Sequence, residues 1–253
     1  MILRRITEHV KAQNWFAVWI DFLIVVVGVF VGLQVSNWND ARSRLQKEKT
    51  YLVELRGEVD ANNRVLRNNI ELMNIVVTSG ERALIFLEDD ASCEAECWRL
   101  LVDFFLASQV MASPITNTIF EEMQRLGLPR SPDIRSALTL YSNNGGATAS
   151  ISSDLPRYRE TIRGLTSVKA HRALWRDCHQ TGLSEKFFPD CGAGISEAEA
   201  RAVLEKFQAR LELHEQLSYW IGHNIAILPT LSDQIEFGEA VITTIDDELE
   251  NQK

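Results

Sequence analysis

Glycine and proline are scarce in this chain, 13 and 6 among 253 residues, which argues against a turn-rich all-β fold and for helices. Basic residues are in short supply too, 26 Lys and Arg against 35 Asp and Glu, a net charge of −9. That deficit excludes a sequence-independent grip on nucleic acid, which depends on cations neutralising phosphates, so no nucleic-acid partner is expected. Catalytic motifs are missing as well. No G-x-S-x-G, P-loop or dinucleotide fingerprint occurs, and Gly192-Ala193-Gly194 is too short to cradle a phosphate. His171, His179, His214 and His223 form no H-E-x-x-H set, and His214 falls on an apolar stripe that reads as core. Asp89-Asp90 and Asp246-Asp247-Glu248 lack a twelve-residue calcium loop and read as solvated acids. Neither an enzymatic activity nor a cofactor is expected. What the chain has is 45% apolar and 24% charged residues, enough to bury a core in one large domain or two small ones.

The apolar residues are concentrated first at WFAVWIDFLIVVVGVFVGLQV, residues 15–35, where Asp21 is the single charge in 21 positions. This is the length and composition of a membrane-spanning helix, so a lipid bilayer is the first expected partner. Its uninterrupted centre, residues 22–33, has the length of a signal-peptide core. Leu33, Gln34 and Val35 are all too large for an A-x-A cleavage site, which favours an uncleaved signal-anchor. Trp15 and Trp19 on one side and Trp38 on the other read as interfacial anchors. At 1.5 Å per residue Trp19 and Trp38 stand about 28 Å apart, one hydrocarbon core. Three basic residues before the span and four just after it leave orientation undecided by charge. Gly28 and Gly32 make a small-xxx-small spacing that admits close helix pairing, and Asp21 shares their stripe. Two readings stand. Either Asp21, Gly28 and Gly32 face a homo-oligomer or membrane-complex partner, or the glycines are incidental and Asp21 reaches the headgroups.

Beyond residue 36 the pattern is helical. Leu45, Leu52, Val59, Leu66 and Met73 recur every seven residues, while Glu48, Asn62 and Asn69 interrupt the neighbouring seam, which disfavours a strict coiled coil against a bundle helix. With no Pro or Gly between Trp38 and Arg56, the membrane helix is expected to run on as a rigid arm to about residue 87, with Ser79-Gly80 bending or denting it. EDDASCEAEC, residues 88–97, reads as a loop, and WRLLVDFFLASQVM after it as a short buried helix. Ser131-Pro132-Asp133 opens a helix that Asn143-Asn144-Gly145-Gly146 is expected to end. Ser153-Asp154-Leu155-Pro156 starts one whose stripe runs from Leu155 through Tyr158, Ile162, Leu165 and Val168 to Trp175. Ser196-Glu197-Ala198-Glu199 is a capping box opening a helix through Val203, Phe207, Leu211, His214 and Leu217 to Leu228. Pro229 should close or kink it, before a last helix over about residues 232–249. The expected fold is all-α, an extracytoplasmic bundle on one anchor.

Cys93, Cys97, Cys178 and Cys191 all follow the span, and an even number in one compartment fits disulfides in an oxidising space. That places residues 1–14 inside the cell as a short tail and residues 37–253 outside. The spacings C-x3-C and C-x12-C do not match a zinc knuckle, so no metal is expected despite His179 beside Cys178. Of three possible connectivities, local closure favours Cys93 with Cys97 and Cys178 with Cys191. Residues 50–253 carry 19 basic and 31 acidic side chains, a net of −12, which favours basic or neutral partners.

LRRITEHVKAQNWFAVWIDFLIVVVGVFVGLQVSNWND resembles the opening of an uncharacterised bacterial family of single-span membrane proteins. In that family a short tail, a span ending in Gly-Leu-Gln and an N-W-N turn precede a helical domain. TNTIFEEMQRLGLPRSPDIRSALTLYSN, residues 116–143, is similar to a helix-loop-helix segment of such families, Arg135 and Tyr141 included. The resemblance implies location and fold and carries no activity. The expectation is therefore a non-enzymatic inner-membrane protein with a periplasmic helical domain that senses, binds or scaffolds. The alternatives are an envelope enzyme or metal-dependent accessory factor using His171, His179 or His223, or a subunit of a larger membrane complex.

Overall fold

The computed structural model of the chain describes residues 15–89, 92–110, 115–151, 156–180, 186–188, 190–192 and 194–251, the side chains of 15–18, 21 and 146–151 excepted. The fold is all-α. Among these residues eight helices occur in order: α1 (Trp15–Glu88), α2 (Cys97–Ala107), α3 (Thr118–Arg125), α4 (Pro132–Ile151), α5 (Arg157–Leu165), α6 (Val168–Asp177), α7 (Glu197–Gln208) and α8 (Glu212–Asn251). One antiparallel ladder of two residues a side, His179–Gln180 (β1) with Lys186–Phe187 (β2), is the only strand pairing described. The chain divides into two compact units, residues 1–51 and 52–253.

In the first unit the described residues form one helix whose apolar side chains face outward. Every described side chain from Phe22 to Val35 is exposed, which a water-soluble packing arrangement would not tolerate over so long a run. At its far end the Arg42 guanidinium lies over the Trp38 ring, 5.8 Å from the centroid.

The second unit is built around α2. Nine of its eleven residues are buried, so it is wrapped on all sides rather than laid on a surface. Phe104 packs edge-on against Phe86 and tilted against Phe207, and Leu101 and Leu106 are almost fully enclosed. A helix buried this completely must have its polar ends satisfied by protein. At the N-terminus the Glu197 carboxylate accepts from the Cys97 N–H at 2.6 Å. At the C-terminus Trp220 Nε1 donates to the Ala107 carbonyl (2.9 Å) and Arg159 to the Ser108 carbonyl (2.9 Å), while Tyr158 donates to Phe104 (3.0 Å). Asp103, the one acid in α2, is buried and takes Arg82 of α1 in a two-point pair.

Of the seven-residue stripe, Leu52, Val59, Leu66 and Met73 are buried while Leu45, in the first unit, is 50% exposed, and the seam beside it, Leu55, Asn62, Asn69 and Val76, is buried as well. The polar interruptions are therefore core positions. Asn62 pairs with the backbone of Thr116 in both directions, 2.7 Å to its carbonyl and 2.9 Å from its N–H, so the amide is satisfied as it would be in a sheet. Glu58 caps α3 through the N–H groups of Ile119 and Phe120.

Several helix limits depart from the sequence expectation. α4 continues through Asn143–Gly146 because these residues make a close approach instead of a stop. A Cβ on Gly145 would lie 3.1 Å from Ile115 and 3.3 Å from Gln234, and Asn144 donates to the Thr230 carbonyl of α8. Gly80 likewise seats Ile221, and α1 runs through it. The helix opened by Ser196 ends at Gln208, its capping box formed as expected, and Leu211 is left 88% exposed in the turn before α8. From Glu212 the two expected C-terminal helices are one, with Pro229 inside it. The stripe drawn from Leu155 to Trp175 breaks at Thr166, where Ser167 caps α6 by accepting from the Ala170 N–H, and Val168 lies exposed. Ser153-Asp154-Leu155 lies outside the described residues.

Candidate functional site

Two features leave large apolar or aromatic surface uncovered by the fold, and each belongs to its own unit. The first is the span surface. Trp19 and Trp38 are 60% and 65% exposed, as belts against headgroups would be, and a Cβ on Gly28 or Gly32 would meet nothing within 4 Å. The backbone there is bare for another helix to approach. Trp15 and Asp21, the other proposed anchor and packing residue, lie outside the described side chains. α1 is the one described helix long and apolar enough to cross a membrane.

The second feature is a groove of about 520 Å³ between α5 and α8. The two helices are tied by Thr161, whose hydroxyl donates to Gln216 Oε1 at 2.9 Å. Pro156, Arg157 and Tyr158 line the same groove as Tyr219, Trp220 and His223, one turn further along α8, so α5 and α8 run antiparallel here. The wall is aromatic. His223 stacks near-parallel on Trp220, 5.5 Å between centroids at 21°, and on Tyr219 at 6.3 Å and 20°. Trp220 is fixed by its hydrogen bond to Ala107 and is buried, whereas Tyr219 is 74% exposed, a large ring presented to solvent. Glu215 and Arg157 supply one charge of each sign at the rim.

Below the groove, Arg159 and Arg163 sit half-buried against the last turn of α2. Arg163 reaches Ser108 Oγ and Gln109 Oε1 and stacks on the faces of Trp175 (5.1 Å) and Phe105 (5.9 Å). Burial, and then the nearby Arg159 charge, push the Arg163 guanidinium down to about 10, which leaves it charged at neutral pH. These two cations complement the negative end of the α2 dipole.

The histidines do not converge. His171 Nε2 meets the Arg163 carbonyl at 2.8 Å, and His179 lies between the Trp175 and Phe187 rings. His214, expected in the core, is 42% exposed at its side chain and faces Glu88 at 3.2 Å, because its helix starts afresh at Glu212 and turns that position outward. Among the described residues no three His, Cys, Asp or Glu side chains gather at metal-binding spacing. Cys93 pairs with Cys97 and Cys178 with Cys191, and the second bridge closes the segment that carries the β1–β2 ladder. Asp246 is engaged by Arg56 in a two-point pair (2.7 and 3.0 Å). Within residues 116–143, Arg135 is exposed while Tyr141 is buried beside Gln234, where burial raises its phenol above the ordinary range.

The groove was not foreseen from the sequence. Its signal is the Tyr219-Trp220 pair with His223 one turn on, an aromatic row set off from the apolar stripe of Leu217 and Ile221. Comparison with protein-family models, with curated proteins and with solved structures returns no match to this chain.

Proposed function

We propose that this chain is a single-pass protein of a bacterial inner membrane, with its N-terminal tail in the cytoplasm and its helical domain in the periplasm. The domain serves a sensing, binding or scaffolding role and not a catalytic one. The observation that carries the reading is the outward-facing apolar run of residues 22–35, bounded by exposed Trp19 and Trp38. A surface of that size is stable only when lipid covers it. The two disulfides support the oxidising side for the domain, since cytoplasmic thiols are kept reduced. The net charge of −12 beyond residue 49 and the groove lined by aromatic rings and two charged side chains support binding. Topology is tested by fusing alkaline phosphatase or green fluorescent protein to the C-terminus. The expected result is phosphatase activity without fluorescence. A fluorescent, phosphatase-negative pair of fusions would put the domain inside and end this reading.

Self-association through the span is a second reading, favoured by the open backbone at Gly28 and Gly32. Gly28→Leu and Gly32→Leu are expected to weaken the signal in a membrane two-hybrid assay, and an unchanged signal in both removes it.

A further inference from the structure

The groove between α5 and α8 offers its two rim charges in an arrangement that defines a ligand. Arg157 lies one turn before Thr161 on α5, and Thr161 meets Gln216 on α8. Because the helices run antiparallel, that places Arg157 level with Tyr219 and Trp220, and Glu215 about one turn away along the axis. One helical turn is about 5.4 Å. Among the described residues, no hydrogen bond or ion pair holds either the Arg157 guanidinium or the Glu215 carboxylate, and Gln216, tied to Thr161, adds an amide to the lining. The floor beside Arg157 is formed by Tyr219 and Trp220, and the His223 ring stacked on both lies one turn further along α8, on the side away from Glu215.

We propose that this groove binds a zwitterion the length of a dipeptide, its ammonium on Glu215, its carboxylate on Arg157 and an apolar side chain on the aromatic wall. The termini of an extended dipeptide are about 6–7 Å apart, and the backbone positions of Arg157 and Glu215 differ by about one helical turn along the axis, a span that their flexible side chains can match. A guanidinium takes a carboxylate in two parallel hydrogen bonds, and a carboxylate beside aromatic rings favours an ammonium. A ligand of single charge, of either sign, would leave one rim group facing its like. A neutral saccharide would stack on Tyr219 and leave both charges unused. The cavity of about 520 Å³ exceeds the needs of a free amino acid and admits a second residue with its side chain. This inference deepens the binding role proposed above and takes that reading as its basis.

The test is calorimetric titration of the full-length protein in nanodiscs with L-alanyl-L-phenylalanine, its N-acetyl form, its C-terminal amide and methyl β-D-glucoside. The uncapped dipeptide is expected to bind saturably, and each cap to weaken wild-type binding about fivefold or more. The pairing of cap with substitution is the decisive part. Glu215→Gln should erase the penalty of acetylation and keep that of amidation, and Arg157→Gln should do the reverse. Both residues are exposed, so the variants keep the fold, and the cap comparison on wild-type protein needs no variant. Equal binding of capped and uncapped dipeptides, preferred binding of the glucoside, or no saturation at about 10 mM would each overturn the assignment. A cytoplasmic C-terminal reporter would sink the topology and leave this measurement standing, so the two failures are distinct.

Discussion

Gly238 on α8 faces Asn63 on α1 so closely that a single methyl group tests the packing of the bundle. A Cβ built there would lie 2.3, 2.8 and 2.9 Å from Oδ1, Nδ2 and Cγ of the Asn63 amide, and Asn63 is 1% exposed. Two effects oppose each other in Gly238→Ala. Alanine in place of glycine inside a helix gains about 1 kcal/mol. Forcing a methyl into an occupied core site costs about 1–3 kcal/mol, and the buried Asn63 amide must turn away from the Ile235 carbonyl to make room. The clash wins, for a net loss of about 1 kcal/mol, or about 2–4 °C in the melting temperature of a domain this size. In an Asn63→Ala background the obstruction is gone and the propensity term stands alone, so the same substitution should raise the melting temperature by about 2 °C. Removing the amide gives up the long hydrogen bond from Asn63 Nδ2 to the Ile235 carbonyl (3.5 Å), while Oδ1 has no partner among the described residues, so the second substitution is read against the melting temperature of Asn63→Ala itself. The assay is thermal unfolding of the full chain in detergent, followed by circular dichroism on the four members of the cycle. The reasoning is refuted if Gly238→Ala stabilises the wild type, or shifts both backgrounds equally, since either result means that the two residues do not touch.

Removing the base of the Arg82–Asp103 pair should cost more than removing the acid. Arg82→Ala strands the Asp103 carboxylate, 8% exposed at its side chain, without its partner, for a loss of about 3 kcal/mol, whereas Asp103→Ala leaves a guanidinium that is 43% exposed and can be hydrated; urea midpoints of the two single variants would show the order. The Glu199 carboxyl is held down to about 2 by Lys169 and then by the Ser196 N–H and hydroxyl. Its contribution is therefore present above the unfolded value near 4.5 and fades as pH falls from there toward 2, so Glu199→Gln should be less stable than wild type at neutral pH and converge with it as pH approaches 2, as urea midpoints measured across that range would show. Loop entropy predicts that opening Cys178–Cys191, 13 residues apart, costs about 3 kcal/mol, against about 2 for Cys93–Cys97, 4 apart, as paired Cys→Ser variants would show in thermal melts.

The span, the Ser196 box and the buried α2 helix were legible because each depends on neighbours in sequence: a run of apolar residues, a four-residue motif, a short apolar block. What escaped depends on neighbours in space. The polar seam of Asn62 and Asn69 reads as a flaw in a heptad, yet Thr116, 54 residues away, satisfies Asn62 with its backbone. His214 lay on an apolar stripe only because Leu211 and Leu217 were placed on one helix, and the break at Ala209–Leu211 moved it to the surface. The groove escaped because its two walls, α5 and α8, are brought together by a hydrogen bond between residues 55 apart.

Glycine shows most clearly why local rules stop short here. Asn143-Asn144-Gly145-Gly146 has the composition of a helix stop, since glycine weakens a helix and asparagine competes for its backbone. Both costs are real at Gly145, but a side chain there would collide with Ile115 and Gln234, so the helix persists because the approach of α8 requires it bare. The same holds at Gly80 against Ile221 and at Gly238 against Asn63, three contacts spread along the bundle. Gly28 and Gly32 are the opposite case: equally helical, with open space where a Cβ would stand. Open space alone does not set them apart, because Gly57, Gly164 and Gly222 are helical residues of the bundle that would likewise meet nothing within 4 Å. What distinguishes Gly28 and Gly32 is their setting, an unbroken run of exposed apolar side chains in which two bare positions four residues apart would let a second helix approach closely.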